Sequence, residues 1–575
     1  MAKPLKDEDI RVVVGLDFGT TYSGFTYCHV DDKQNYNTND NWPELLGQFK
    51  TNTVLQYDDD LGQVEFWGFP ALAKRPSRKK EKNLRRNVVE LFKLHLGNLK
   101  PELRPQLVID YKKAITDYLR LIGNWIKDET LEAHWNGIKF ENILFVLTVP
   151  AEYSEKAIFT MRECACDAGL IDVLHSKRLQ FTTEPEAAAI YCMGNLKEHN
   201  LDDRGTTFMI VDCGGGTVDL TTRKLLNIKQ LGEVTERTGD YCGSTFIDKA
   251  FKTYLRRKLG SNAMDLLEEN QYGQLQYMVQ EFCEHAKLPF TGDDPDFYYE
   301  MDLDEVCPIL LQYVSEEVKE KLEEDENLIK FDFETIKSMF DPIIERIINM
   351  IKMQLDNSRE KRSVPSIMFL VGGFSESKYL QKRIKEEFQD QVDNISVPPS
   401  PTAAISRGAA IYGLDFSEDK SISKSIIGSR VLKHTYGINV LRPWVRGDPT
   451  DKIVPSIFYG VAILGFHCIA KRGTVAKIDD EFPTEEFSVS PSHPFQTAGV
   501  FEIYYTREFE GEFSHDPGMK LLGKLKIDWP DVQFGLERSI SFKLAFGKME
   551  ITATAKNDLT GQNYHTFFEI DVEDK

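Results

Sequence analysis

The amino-acid sequence predicts an α/β architecture to about residue 413 and an antiparallel β region beyond it. Three observations point there. Two stretches share one pattern of apolar strand, aspartate, glycine-containing turn, threonine and second strand: Val14-Gly15-Leu16-Asp17-Phe18-Gly19-Thr20-Thr21-Tyr22-Ser23-Gly24 and Ile210-Val211-Asp212-Cys213-Gly214-Gly215-Gly216-Thr217-Val218-Asp219. Strands of the buried type alternate with helical segments over most of the chain, as in parallel-sheet folds. Near the C-terminal end the apolar period falls to two, the mark of half-buried strands.

The first observation has chemical content. Three successive glycines, Gly214, Gly215 and Gly216, can take backbone angles that side-chain-bearing residues resist. Their N–H groups can line up as an anion-binding concavity. Asp212 stands where the strand ends, placed to hold a metal that neutralises phosphate charge, and Thr217 adds a hydroxyl. Asp17 and Asp212 lie 195 residues apart, about one domain length. Two such hairpins suggest two halves pinching one polyphosphate. Taken singly, each is as readily an ordinary β-turn.

In chain order, residues 48–68 hold short strand-like runs broken by Asp58-Asp59-Asp60-Leu61-Gly62. Residues 83–96 read as a helix with Lys93 near its end. Residues 111–134 form a longer amphipathic helix, with Ala114, Ile115, Tyr118, Leu119, Ile122 and Ile126 at helical spacing. The continuous apolar run at 142–150 predicts a strand buried on both faces. Ser154 caps the following helix, with Glu155 in its first turn. Glu184 precedes the Ala-rich helix of Ala187, Ala188 and Ala189. Residues 244–356 are mostly helical, and Ile344, Ile347, Ile348, Ile351 and Leu355 form one core stripe. A strand at 366–371 runs into Gly372-Gly373. Ser400 and Pro401 open a helix as cap and first residue, and Ala403, Ala404, Gly408, Ala409 and Ala410 suit it to close packing. Residues 415–429 are polar and aperiodic, which predicts a linker. Ile540, Phe542, Leu544 and Phe546 then alternate with polar residues and Ala545. Gly547-Lys548 turns the chain, Met549, Ile551, Ala553 and Ala555 return, and Phe568, Ile570 and Val572 follow.

Composition narrows the functional class. The 575 residues allow several domains, and the net charge of −21 argues against nucleic-acid or anionic-membrane binding by the surface at large. The basic run at 78–86 and the acidic run at 316–326 read as solvated helix faces. Nine cysteines, an odd number without metal-ligand spacing, predict a reducing, cytoplasmic setting, with the nucleus open as well. No apolar run approaches the ~20 residues that span a bilayer, and the charged N-terminus has no signal-like apolar core. The 11 histidines are dispersed, and no Ser/His/Asp or Cys/His set stands out.

With these residues in view, the chain resembles the 70-kDa heat-shock protein family, within the wider actin-like and sugar-kinase ATPase fold, over nearly its whole length. Leu16-Asp17-Phe18-Gly19-Thr20-Thr21-Tyr22-Ser23 is similar to that family's first phosphate loop, and residues 212–219 to its second. Thr148-Val149-Pro150-Ala151 and Glu184-Pro185-Glu186-Ala187-Ala188-Ala189 are similar to its connecting segments, and Leu370-Val371-Gly372-Gly373 to its adenosine motif. Lys471-Arg472-Gly473-Thr474, Leu521-Leu522-Gly523-Lys524-Leu525 and Lys556-Asn557-Asp558-Leu559-Thr560-Gly561 resemble its peptide-binding sandwich. The departures resemble the divergent twelve-type branch. Leu288 stands where an arginine stacks on adenine, and Thr402 where an acid follows the adenosine motif. Residues 425–432 replace a leucine-rich linker, residues 442–466 look like diverged sequence at the sandwich entrance, and no helical lid follows the sandwich.

The resemblance implies a two-lobed, actin-like (ribonuclease H-like) ATPase domain over 1–414, a linker over 415–432 and a small antiparallel β-sandwich, without lid, over 433–575. It implies ATP or ADP with magnesium. Asp17 and Asp212 would orient the hydrated ion, since magnesium keeps several waters. Gly19, Thr20, Thr21 and Tyr22 would cradle phosphates on one side, and Gly214, Gly215, Gly216 and Thr217 on the other. Lys93 would reach the terminal phosphate, its alternative being an exposed helix lysine. Glu184 would order the attacking water. Asp219, with Thr217, would favour a potassium ion or else simply satisfy its own turn. Gly372 and Gly373 would admit ribose and base, with Glu284 and Lys287 on the ribose hydroxyls and Gly243 and Thr291 as weaker candidates. The implied function is an ATP-hydrolysing, chaperone-like protein whose β domain binds an unfolded peptide or protein client, with a co-chaperone or exchange factor. A non-hydrolysing nucleotide-dependent interaction protein and a small-molecule kinase of the same fold are the alternatives.

Overall fold

The structure is a computed structural model that describes residues 10–72, 87–97, 99–101, 104–416, 425–450, 453–456, 459–477, 480–491, 493–529, 531–546 and 550–566. The charged N-terminus, the basic run at 78–86, much of the expected linker, the Gly547-Lys548 turn with Met549, and the strand of Phe568, Ile570 and Val572 lie outside the described residues. The protein is mixed α/β and divides into two units: Met1–Ile228 with Thr238–Ser423, and Lys229–Arg237 with Lys424–Lys575.

The larger unit contains the same strand arrangement twice. Val12–Phe18, apolar at nearly every position, is buried along its whole length. It pairs antiparallel with Tyr22–His29 and parallel with Ile143–Val149, which pairs parallel with Leu179–Thr183. Thr207–Cys213 is buried along its whole length too. It pairs antiparallel with Val218–Asn227 and parallel with Ile367–Val371, which pairs parallel with Asn394–Ser396. Each central strand has neighbours on both edges, so its near-continuous apolar character follows. In each copy the aspartate sits near the strand end that leads into the glycine turn.

Helices cover these sheets where the sequence supplies apolar faces and caps. Ser154 accepts from Ala157 N–H at 3.2 Å and starts Glu155–Asp167. Asp110 caps Tyr111–Asn124, which continues as a π-helical stretch, Trp125–Leu131, and a last turn to His134. The isoleucine stripe of Phe333–Glu360 is fully packed in the core around Thr207–Cys213. The acidic run forms Glu316–Glu324 and buries only Leu322. Ala404–Phe416 packs so closely that a Cβ on Gly408 would lie 1.7 Å from the Ala187 carbonyl oxygen, and one on Gly15 2.3 Å from that of Ser406.

Three local expectations are corrected. Asn87–Glu90 is a strand, not helix: its two valines pair in antiparallel register with Val54–Tyr57, and only Phe92–Leu96 turns helically, as a 3₁₀ segment. Ser400 does not cap through its side chain; its backbone is left-handed (φ 52°) and a 3₁₀ turn, Pro401–Ala403, leads into the helix. Ile427–Val431, read above as linker, is a strand with three buried residues between Gln230–Glu233 and Val475–Lys477.

Most strands of the second unit lie in two antiparallel sheets. One runs Ile453–Ser456, Gly460–Ala470, Thr435–Pro443, Ala498–Thr506, Lys520–Asp528; the other Glu481–Val489, Ile540–Ala545, Thr552–Asn557, Asn563–Thr566. The period-two pattern places Ile540, Phe542 and Leu544 with Ala553 and Ala555 in one core with Ile438, Phe501, Ile503, Leu525 and Ile527 of the other sheet. Phe501 stacks on Phe542 with ring centroids 5.0 Å apart. The segment Lys229–Arg237 belongs to this unit: Glu233 Oε2 accepts from Val431 N–H at 2.7 Å and Glu236 pairs with Arg472 at 2.9 Å.

The helix Ala404–Phe416 depends on backbone-to-backbone approach. Gly408→Val is therefore expected to cost more than about 3 kcal/mol of unfolding free energy. Denaturant titration checks this, and a shift of a few tenths of that size contradicts it.

Candidate functional site

The fold brings the two turns tip to tip, and the triglycine turn needs glycine for space rather than for unusual backbone angles, since none of Gly214, Gly215 and Gly216 has a positive φ. A Cβ on Gly215 would lie 2.1 Å from Thr21 Oγ1, and one on Gly216 3.2 Å from Thr20 Cβ. The triglycine turn is tied back by its own hairpin and by residues 243–245. Gly214 N–H donates to the Thr217 carbonyl (3.0 Å), Gly243 N–H to Gly216 (3.2 Å), Ser244 N–H to Gly214 (3.1 Å) and Thr245 N–H to Gly215 (2.9 Å). Gly243 has no room for a side chain, since its Cβ would lie 2.3 Å from the Gly215 carbonyl oxygen. Among the described residues, the backbone N–H groups of Thr20, Thr21, Gly215 and Gly216 donate to no backbone acceptor. Backbone N–H groups without a backbone acceptor, in turns whose carbonyls are tied back, are chemically suited to an anion. A concavity of about 390 Å³, open to solvent, is lined by Thr20, Lys93, Thr217 and Asp219 among others.

Charged side chains stand at the roots of the turns. Asp17 and Asp212 are 2 % and 3 % exposed, so both are desolvated. Lys93 follows a left-handed Leu91 that turns the chain out of the strand Asn87–Glu90. It is buried, hydrogen-bonds the Phe18 carbonyl and pairs with Glu184 Oε1 at 2.9 Å. The exposed-lysine alternative is thereby excluded. The Tyr153 hydroxyl donates to the Lys93 carbonyl at 3.0 Å and fixes that turn. Glu184 is the first residue of Glu184–Asn195, where Thr183 Oγ1 accepts from Glu186 N–H.

Four buried carboxylates, Asp17, Glu184, Asp212 and Asp219, thus gather near two lysines, Lys93 and Lys50. Burial, and then the charges of Glu184, Asp219 and Asp17, push Asp212 well above the usual carboxylate range. Burial, with Glu184 and Glu152 next, pushes Asp219 up to about 7 against the pull of Thr217 and of Ala151 N–H. That N–H donates to Asp219 Oδ1 at 3.1 Å, so Asp219 serves its local structure whatever else it holds. Asp212 Oδ1 is buried with no hydrogen-bond partner among the described residues. No group of three or more His, Cys, Asp or Glu among them is arranged to hold a metal ion. A divalent ion here would rely on one or two carboxylates, its own waters and a phosphate, as magnesium does.

On the side expected to take adenosine, Gly372 (φ +83°) lets the end of Ile367–Val371 lie against Asp212: a Cβ there would be 2.6 Å from Asp212 Oδ1. Gly373 faces open space. Lys287 is buried and already engaged, with Asp248 at 2.6 Å and the Ser244 carbonyl at 2.9 Å. It braces the 243–245 loop, and these two bonds leave one of its three donors for another partner. Glu284 is exposed on the same short π-helical turn, Cys283–Lys287. Thr291 accepts from Asp293 N–H in its own loop. Leu288 is 57 % exposed, and the Thr402 hydroxyl donates to Glu376 at 2.7 Å.

Comparison with known proteins bears on this geometry. A family model described as a domain of unknown function, DUF8340, matches residues 202–397, the stretch with the second hairpin and Gly372. Heat shock 70 kDa protein 12A of Homo sapiens is 24 % identical over 97 % of this chain and 91 % of its own length. Heat shock 70 kDa protein 12A of Mus musculus is 25 % identical over 98 % and 92 %, and human heat shock 70 kDa protein 12B 23 % identical over 96 % and 90 %. Over nearly its whole length the chain is thus similar to heat shock 70 kDa proteins of the 12A and 12B type. Lys50 joins the site without any signal in the sequence. A lone lysine before a two-residue strand reads as surface, and its partner, Asp17, is reached only through the hairpin register. No helix among the described residues is long and apolar enough to cross a membrane.

The raised carboxylates give a pH dependence of definite sign. Without metal or nucleotide, the folded protein keeps the Asp219 proton that the unfolded chain gives up near pH 4. This stability is full below that pH and is lost as pH rises towards 7. Removing the titration with Asp219→Asn should make the variant gain on the wild type between pH 5 and pH 8, read as unfolding temperature in chelator. Parallel curves contradict the assignment.

Proposed function

We propose that the chain binds a magnesium nucleoside triphosphate between its two glycine hairpins and hydrolyses it, with the larger unit acting as a two-lobed, actin-like ATPase domain. The observation that carries this reading is the tip-to-tip approach of Thr20–Thr21 and Gly215–Gly216 above buried carboxylates and Lys93. Phosphoryl transfer asks a protein mainly for positioning and charge neutralisation. The unengaged N–H groups of both turns would hold the phosphate oxygens. Lys93, fixed by Glu184 and the Phe18 carbonyl, supplies positive charge at the concavity between Thr20 and Thr217. Glu184 is placed to orient a water for attack on the terminal phosphorus, and the bond to the bridging oxygen then breaks. The orphaned oxygen of Asp212 and the surplus of acids fit a hydrated magnesium ion, which when bound would neutralise charge on the phosphates. Asp17 and Asp212 would hold it through its waters. A potassium ion at Asp219 fits less well, because Ala151 N–H already occupies one of its oxygens.

The second unit, two sheets on one core, suits a β-sandwich that takes an extended peptide or protein client. Val461, Leu464 and Val500 expose apolar side chains on its larger sheet, a feature of interaction surfaces when such residues are contiguous. Coupling has a covalent route: the strand Val218–Asn227, which leaves the second turn, continues directly into Lys229–Arg237 of the second unit. Unpaired cysteines accord with a cytoplasmic or nuclear place of action. The exposed Leu288, where a base would stack, favours a second reading in which nucleotide is bound but hardly turned over.

Losing a positioned charge at the transition state lowers rate by roughly 10²–10³. ATP turnover by Lys93→Ala, and by Asp212→Asn, is therefore expected to fall by about that factor, measured as phosphate release with and without an extended apolar peptide. Binding of ATP with no release by the wild type supports the second reading. Release unchanged in both variants would falsify the first.

A further inference from the structure

The nucleotide reading leaves Lys50 unexplained. The residue directly precedes Thr51–Asn52, which pairs with Tyr22–His29 so that Ser23 faces Thr51 and Tyr22 faces Asn52. Gly24 faces Asp17 in the hairpin register. A Cβ on Gly24 would lie 2.9 Å from Lys50 Cγ and 2.4 Å from the Phe49 carbonyl oxygen. The lysine stem therefore passes through space that only glycine leaves free, and it ends on Asp17 Oδ2 at 2.6 Å with 14 % of the side chain exposed.

Charge accounting shows what this ammonium does. Lys93 pairs with Glu184 and Lys50 with Asp17, while Asp212 has no ion pair among the described residues. Without Lys50, a polyphosphate would enter a pocket whose Asp17 carboxylate is uncompensated. An ammonium group has three donors, and this one forms an ion pair with Asp17 Oδ2 at 2.6 Å. Asp17 lies one residue before Phe18, whose carbonyl is hydrogen-bonded by Lys93, and beside the turn that offers Thr20 and Thr21 N–H groups. A flexible four-carbon stem can re-aim its head over such a distance.

Resting on the nucleotide reading above, we propose that Lys50 is a tethered cation of the polyphosphate site, carrying part of the positive charge that a divalent metal otherwise brings, so that this chain binds a nucleoside diphosphate even without metal. The role is positioning and charge balance; Lys50 takes no part in bond breaking.

The test is ADP binding by calorimetry to the full chain in magnesium and in chelator, for the wild type, Lys50→Met and Lys50→Arg. The wild type and Lys50→Arg are expected to lose less than about tenfold in affinity on removing metal, and Lys50→Met roughly 10²-fold or more, while in magnesium all three lie within about tenfold. Unfolding temperature without nucleotide shows whether Lys50→Met is folded; if it is not, Lys50→Gln takes its place. An equal loss on chelation in wild type and Met variant overturns the proposal, as does wild-type binding that vanishes in chelator; both outcomes leave the nucleotide site standing. Absence of ADP binding by the wild type in either buffer overturns the site and the proposal together.

Discussion

Everything in the larger unit depends on how closely two backbone turns approach each other. Gly215 and Gly216 face Thr21 and Thr20 with no space for a β-carbon at the tightest point. That approach needs each turn to be rigid. The first is set by seven buried strand residues with partners on both edges, and the second is held from behind by the amides of residues 243–245. The packing of Ala404–Phe416 against Gly15 serves the same end, because it fixes the strand that carries Asp17. Rigid elements hold a site more accurately than free loops do.

The consequence of that geometry is electrostatic. Carboxylates that would be dispersed on an open chain are gathered out of water, and burying an unpaired charge is costly. Two responses are visible. Lys93 and Lys50 are drawn in as partners for Glu184 and Asp17. Asp212 and Asp219, which have no ion pair among the described residues, hold protons more tightly than exposed acids do. A site in this condition is poised to accept positive charge from outside, and a metal-bound polyphosphate brings both the cation and the anion for which the turns offer N–H donors.

Much of this was legible in the sequence, for physical reasons that differ from residue to residue. The two hairpins could be read because glycine, aspartate and threonine at fixed offsets after an apolar run carry their own local geometry. The isoleucine stripe and the alternation from Ile540 could be read because burial imposes a period. What escaped was set by partners distant in the chain. Asn87–Glu90 looks helical next to a charged run, yet Val88 and Val89 are claimed by the strand Val54–Tyr57. Nothing local shows that Lys287 is also held by Asp248, 39 residues earlier. Lys50 was invisible for the same reason: its function, like its path over Gly24, exists only once the sheet has formed.

The central claim is that both turns grip one ligand at once, and backbone amide exchange on adding ADP with magnesium tests it most directly. The account predicts that amides of residues 19–22 and of residues 214–217 slow together, at one ligand concentration. Slowing confined to a single turn, or to neither, contradicts it.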